Sequence, residues 1–581
     1  MAKYFASPIM HRIYRRMHRL YGGPRAPRLV ERLAMLVNRY GVGAKVQRPA
    51  GLWTELDAVL ITYGDTIVEP GARPLATLRG FLKERLQGAV SAVHLLPFFP
   101  YSSDDGFAIT VYREVRPELG GWKDVEAIAS EFRLMADLVL NHCSRASSWF
   151  RDYTSGILPE RGYFIEVPPN TDLSSVVRPR TSPLLTEVIT RDGKRHVWTT
   201  FSADQIDLDF ANPDVLFEFL DILFFYISKG ARMIRLDAVA YLWKKIGSPC
   251  IHLPEAHEVV KLMRDLLELV APDAVIVTET NVPHEENISY FGDGDEAHMV
   301  YQFSLPPLVL HALLRGTGKR LTAWAKALAP PRPGCTFLNF TASHDGVGVR
   351  PLEGLVPDDE LKELIAAVKR RGGRVSSRKN SDGTESPYEL NVSWFSAMAD
   401  PENPNADLHV ARFLCSQAIP LALRGVPAVY IHSLLATEND LEGVKRTGRA
   451  RSINRKQWKK EALDPLLADP ASPAARVFDG CTRLLRVRAN YAAFHPDGDQ
   501  EILDFGDELF VVKRTSPDKS QTVVAFHNLA AKSLDIDLSK RSDVFGTGDK
   551  WRNVVTGRKR GKARGILSLA PYDVCWLQVS S

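Results

Sequence analysis

The chain is poor in cysteine and has no long apolar run. Six cysteines stand far apart in 581 residues, at 143, 250, 335, 415, 481 and 575, with no CxxC pair. That spacing argues against a disulfide framework and a cysteine zinc site. It points instead to reduced thiols and a cytoplasmic protein. No stretch approaches the roughly 20 apolar residues that span a bilayer. No GxxxxGK[ST] loop is present to cradle nucleotide phosphates. Charge of one sign is scarce as well: 74 Lys and Arg face 69 Asp and Glu, a net charge of +5. Over this length that is too little to argue for nucleic acid. No internal repeat of short period stands out.

What remains is ordinary globular composition, 45% hydrophobic and 25% charged, in a chain long enough to bury a large core. Residues 1–50 read as an N-terminal helical segment. The spacing of Ile13, Met17 and Leu20 suits an amphipathic helix docked on the body. Eight short apolar strands then recur, at 58–65, 92–100, 134–142, 231–239, 274–280, 299–306, 336–345 and 427–435, with helical stretches between them. Near-continuous apolar strands alternating with helices predict a covered parallel sheet, and eight repeats predict a (β/α)8 TIM barrel. The barrel is assigned 51–142 and 213–490. Residues 143–212 form an inserted subdomain after strand three. Residues 346–410, which contain RRGGRVSSRKNSDGTESP, read as a long mobile loop after strand seven. Residues 491–581 read as a C-terminal all-β domain of sandwich type.

Chemistry on a barrel sits at the C-terminal strand ends. Strand three ends in Asn141-His142, strand four in Arg235-Leu-Asp237, strand five in Glu279 and strand seven in His344-Asp345. Any one of these could cap or pair. Three carboxylates on one rim cost stability by repulsion and desolvation, which a protein bears mainly at a functional site.

The segments DLVLNH, ARMIRLDAV, IVTET and FTASHD resemble, in order and position, the four motifs of the α-amylase family. The resemblance implies Asp237 as nucleophile, Glu279 as acid/base and Asp345 as transition-state stabiliser. It also implies that Arg235 orients the nucleophile and that His142 and His344 hold sugar hydroxyls. Such a guanidinium is expected to lower the Asp237 pKa, and Glu279 to sit in less polar surroundings. VHLLPFFPYSSDDGF, VVRPRTSPLL, VWTTFSADQIDLDFANP and RTGRARSINR are similar to the sucrose phosphorylase subfamily. This implies that Asp104, Phe107, Phe201 and Gln205 bind glucose, that Arg180 faces phosphate, and that Arg455 pairs with Asp104. Lys445, Arg446, Arg449 and Arg451 are further candidates for the acceptor or phosphate.

In plain sucrose phosphorylases the residue two after the acid/base is usually His. Here it is Asn281, and the segment TETNVPHEENISYFG looks more like relatives that act on glucosylglycerate. The expected activity is therefore retaining transfer of α-glucose between glucosylglycerate and phosphate. Sucrose or sucrose 6'-phosphate phosphorolysis, hydrolysis or transglucosylation, and a catalytically inactive binding subunit are the alternatives. No cofactor is expected beyond phosphate as co-substrate, and no metal: Asp172, Asp192, Asp204, Asp207 and Asp209 read as turn caps or solvent-facing groups. The partners are a small sugar and phosphate, with no nucleic acid or membrane; a homodimer is left open.

Overall fold

Eight parallel strands close into a ring in the computed structural model, which describes residues 7–40, 49–380, 383–545, 550–557, 559–561 and 565–579. Parts of three expected segments lie outside the described residues: 1–6 and 41–48 of the helical segment, 381–382 of the loop, and short pieces of the C-terminal domain. The barrel strands are Val59–Thr62, Ala92–Leu95, Arg133–Val139, Ala231–Asp237, Val275–Thr278, Met299–Tyr301, Thr336–Asn339 and Val426–Tyr430. Each pairs with its sequence neighbour, and Val59 sits opposite both Ala92 and Ala428, which closes the ring. Their side chains are buried on both faces, hence the unbroken apolar runs. The outer helices start cleanly: Pro213–Ser228 has Pro at its first turn and Asn212 as cap, accepting from Asp214 N.

The N-terminal helix Pro8–Tyr21 lies along barrel helix Pro254–Val270. Ile13 and Met17 are fully buried there, about 1.5–3 kcal/mol of apolar burial each. Arg12 reaches Asp265 at 2.6 Å, and Arg16 reaches Asp265, Glu258 and Asp295. A second helix, Ala26–Tyr40, packs on Pro213–Ser228 through Arg32–Asp214 and Arg39–Asp221. Among the described residues no helix is long and apolar enough to cross a membrane. All six cysteines are buried and none forms a disulfide.

The first insertion holds helix Ser148–Ser155 and hairpin Leu185–Thr190/Gly193–Trp198 over a small core of Val167, Val176, Leu184, Trp198 and Cys250. Asp207 anchors it to the barrel. It is fully buried, takes hydrogen bonds from Thr200 N, Thr200 Oγ1 and Asn141 Nδ2, and pairs with Lys244 at 2.6 Å. The reading of Asp207 as a turn cap or solvent-facing group is thus corrected. The segment 346–410, expected to be a mobile loop, is built instead of helix Asp358–Arg370 and a three-stranded antiparallel sheet, Val347–Gly348, Arg374–Lys379 and Glu385–Asn391. Its Gly- and Ser-rich composition marks the hairpin turn and a solvent-facing strand. At the C-terminus a six-stranded sheet and a two-stranded sheet enclose their own core of Val511, Val524, Phe526, Leu567, Leu569 and Leu577.

Candidate active site

A cavity of about 640 Å³, counting space open to solvent, lies at the C-terminal end of the barrel strands. Asp237, Glu279 and Asp345 all line it, with Asp104, Phe107, His142, Arg180, Phe201, Gln205 and His344. Barrel curvature thus brings together residues far apart in sequence.

Asp237 ends the fourth barrel strand. Two residues earlier, on the same face, Arg235 is buried and its Nη1 lies 2.7 Å from Asp237 Oδ1. The same guanidinium pairs with fully buried Asp137, which also meets His94 Nε2 at 2.7 Å. Arg235 Nη2 lies 3.8 Å from Glu279 Oε2, and that oxygen accepts a 3.0 Å hydrogen bond from Ala238 N. Ala238 has φ 50°, a strained value for a residue with a Cβ. That strain turns its N–H toward Glu279, tying the two carboxylates together.

Burial pushes the Asp237 carboxyl up to about 6, outweighing Arg235, with the Asp137 charge adding to the rise. The expected depression of this group is therefore corrected: one guanidinium shared among three carboxylates does not offset full desolvation. Burial likewise raises Glu279 to about 7, helped by the charges of Asp237 and Asp345. Asp345 moves the other way. Burial favours its neutral form, but Arg451, His344, Arg455 and Arg235 together hold it well below the carboxylate range. Three acids on one rim thus have different proton affinities.

The inner end is closed by aromatic and polar groups. Phe107 stacks on His344, centroids 4.9 Å apart and planes 9° off parallel. Gln205 Nε2 donates to Asp104 Oδ2 at 3.1 Å and lies 3.0 Å from His142 Nε2, while Phe201 packs on His142 and Tyr241. Arg455 does not pair with Asp104. Its Nη1 bonds the next residue, Asp105, and its Nε donates to His344 O at 2.8 Å. Asp104 and Asp105 both have left-handed backbone, φ 54° and 48°. Their carboxylates therefore leave the turn in different directions, that of Asp104 to Gln205 in the cavity and that of Asp105 to Arg455.

The basic loop after strand eight divides. Lys445 is exposed and pairs with Glu442 at 2.8 Å. Arg446 lines a separate cavity with Tyr63, Asp65 and Arg116. Arg449 pairs with Asp105 at 3.2 Å. Arg451 alone of these four reaches the catalytic cavity. It grips Glu389 with two nitrogens, at 3.0 and 2.5 Å, and its Nη1 lies 2.6 Å from Asp345 Oδ1, an ion contact rather than an aligned hydrogen bond. Arg180 lines the cavity from the first insertion, its guanidinium over the rings of Tyr388 and Phe201 at 5.3 and 5.8 Å. Among the described residues it meets no carboxylate.

Among the lining residues absent from the sequence reading of the site are four polar ones with reach: Tyr241, Tyr388, Glu389 and, as a lining group, Asn281. Tyr388 and Glu389 come from strand Glu385–Asn391, inside the segment taken for a loop. The alternation in SPYELNV was the available signal. Among the described residues no group of three or more His, Cys, Asp or Glu is arranged to hold a metal ion.

Comparison with known proteins agrees with this architecture. The family described as alpha amylase, catalytic domain, matches residues 84–321. The chain is 47% identical to the glucosylglycerate phosphorylase of Spirochaeta thermophila, over 90% of this chain and 89% of that one. It is 46% identical to the glucosylglycerate phosphorylase of Allomeiothermus silvanus, over 96% of both. The crystal structure of sucrose 6F-phosphate phosphorylase from Thermoanaerobacter thermosaccharolyticum superimposes with a TM-score of 0.71 at 27% identity, covering 82% of this chain and 94% of that one. The chain belongs to the α-amylase family, in the branch that holds these phosphorylases.

Proposed function

We propose that this chain is a retaining glycoside phosphorylase that moves an α-glucosyl group between glucosylglycerate and inorganic phosphate, releasing α-glucose 1-phosphate and glycerate. The observation that carries the reading is Arg180: a guanidinium without a carboxylate partner among the described residues, facing the same cavity as Asp237 and Glu279. A hydrolase needs no fixed cation there, whereas a phosphate dianion beside three carboxylates does. The names of the relatives at 46–47% identity support the same substrate pair.

In this reading, Asp237 attacks the anomeric carbon while Glu279 gives its proton to the glycosidic oxygen, and the C–O bond to glycerate breaks. Glycerate leaves, and the glucosyl ester on Asp237 remains. A phosphate oxygen then attacks the same carbon from the face glycerate left. Its proton passes to Glu279 and the ester breaks. Two inversions give net retention. The raised affinity of Glu279 keeps it protonated for the first step. Asp345, held ionised, carries charge opposite the oxocarbenium centre. Asp104, His142, Gln205 and His344 hold glucose hydroxyls. Phe107 and Phe201 pack on the ring, and Arg455 buttresses this end through Asp105.

The test is a set of synthesis reactions with glucose 1-phosphate as donor and D-glycerate, fructose, fructose 6-phosphate or glycerol as acceptor, read by phosphate release. Glycerate wins by tenfold or more, about 1.4 kcal/mol. A preference for fructose, or release to water alone, overturns the reading.

A further inference from the structure

Glycerate brings a carboxylate to a cavity that already holds Glu279, Asp345 and Glu389. Placing a further negative charge there is unfavourable unless a cation receives it. The basic loop after strand eight does not supply one. Arg449 and Arg451 are committed to Asp105, Asp345 and Glu389, and Lys445 points to solvent. Arg180 faces the place where phosphate must attack.

A second hollow, about 1320 Å³ including its solvent-open part, is lined by residues close in sequence to some that line the catalytic cavity. It runs between the first insertion, at 173–178, and Arg378, Lys379, Asn380 and Gly383 of the second. Its described lining holds Arg178, Arg350, Arg378 and Lys379 and no Asp or Glu. Glu286 and Glu353 stand behind Arg350 and Arg378, 3.4 and 3.0 Å away. Arg178 donates to Ser182 O and meets no carboxylate among the described residues. Among the described residues the hollow is therefore net positive.

Arg350 lines this hollow. Its side chain is only 13% exposed and its Nε has no hydrogen-bond partner. It follows Gly348 by two residues, and Gly348 is pressed so closely against Asn281 that a Cβ would come within 2.5 Å of Asn281 Oδ1. Asn281 lines the catalytic cavity two residues after Glu279. Tyr241, another lining residue, feels the positive charges of Arg350, Arg180 and Arg378, although burial dominates its hydroxyl and raises it to about 12. On the opposite wall, Arg178 faces the hollow and Arg180 faces the cavity, separated by one proline.

We propose that Arg350, with Arg178 and Arg378 behind it, receives the acceptor carboxylate, so that this hollow selects a small anionic acceptor over a neutral one. The assignment rests on the phosphorylase reading above. Arg180 is then left to phosphate, and the two anions that alternate in the reaction are held by different guanidinium groups. A site built for a carboxylate discriminates strongly against a neutral analogue, because its cation would be left unpaired.

The experiment measures kcat/KM for D-glycerate and for glycerol, with glucose 1-phosphate as donor, in the parent and in Arg350→Gln, Arg350→Lys and Arg178→Gln. Arg350→Gln lowers the glycerate-to-glycerol ratio at least tenfold, chiefly through the KM for glycerate. Arg350→Lys keeps most of the ratio. Arg178→Gln, whose side chain has no carboxylate partner to strand, lowers it by threefold or more. If Arg350→Gln misfolds, Arg178→Gln still decides the matter. A ratio within twofold of the parent's in the folded variants overturns the assignment. So does an equal loss for both acceptors, which marks Arg350 as structural. A parent that shows no preference for glycerate overturns the phosphorylase reading instead, and shows it before any variant is made.

Discussion

Arg235 Nη1 lies 2.7 Å from Asp237 Oδ1, and the carboxyl it touches still takes up a proton at about 6. The arginine divides its charge among Asp137, Asp237 and Glu279, so each receives only part of it. Asp137 gains most. Burial works against its charge, yet Arg235 and His94 bring it down to about 2.

The pH dependence follows from these directions. In the proposed mechanism turnover needs Asp237 ionised and Glu279 protonated. Activity is lost as pH falls through about 6, where Asp237 gains its proton. It is lost again as pH rises through about 7, where Glu279 gives its proton up. A plot of kcat/KM against pH is therefore a narrow bell with its top between these values. In Glu279→Gln, assayed with α-glucosyl fluoride, which leaves without a proton, the alkaline limb disappears. A limb that persists assigns it to another group.

The two central carboxylates are separated by product stereochemistry. Asp237→Asn lowers turnover on the order of 10⁴-fold with the fold intact, because the amide cannot form the glucosyl ester. With azide and α-glucosyl fluoride, Glu279→Ala gives the α-glucosyl azide through the intact Asp237. Asp237→Ala gives the β-azide by direct attack. Reversed anomers would exchange the two roles.

Arg180 is expected to act on phosphate more than on glucose. Arg180→Ala raises the KM for phosphate roughly ten- to a hundredfold, the ~1.5–3 kcal/mol of a charge-assisted contact. Hydrolysis to free glucose stays equal or rises as a share of turnover. Equal falls in both reactions mark Arg180 as a packing residue between Phe201 and Tyr388.

Glu389 holds Arg451, which holds Asp345. Glu389→Gln leaves the pocket's shape but removes one charge from this chain. It lowers kcat by up to about 100-fold, the scale of a small misplacement at a reacting centre, with a much smaller change in KM. Glu389→Asp recovers part of the loss if the charge matters. Lowered Tm with unchanged kcat refutes the positioning role.

The barrel was legible because each strand is buried on both faces and therefore reads as an apolar run. The three carboxylates were legible because they end such runs. Partnerships across the chain were not. Arg455 chooses Asp105 over Asp104 through two adjacent left-handed residues, a backbone detail that side-chain pattern does not carry. The commitments of Arg449 and Arg451 depend on carboxylates 344 and 62 positions away. Burial of Asp237 depends on the whole rim, so its proton affinity could not be read from the neighbouring Arg235. Tyr388 and Glu389 were hidden by the Gly- and Ser-rich run that precedes them.

Ring closure also sets a schedule for synthesis. Val59, on the first barrel strand, must wait for Ala428 on the last. At ~5–20 residues per second, the intervening stretch takes roughly 20 to 75 s to emerge from a ribosome. During that interval the first strand, Val59–Thr62, has one edge of unpaired N–H and C=O groups, a ready template for another nascent chain. Yield in a host is therefore expected to depend on how fast the stretch between these two strands is translated and on chaperone supply.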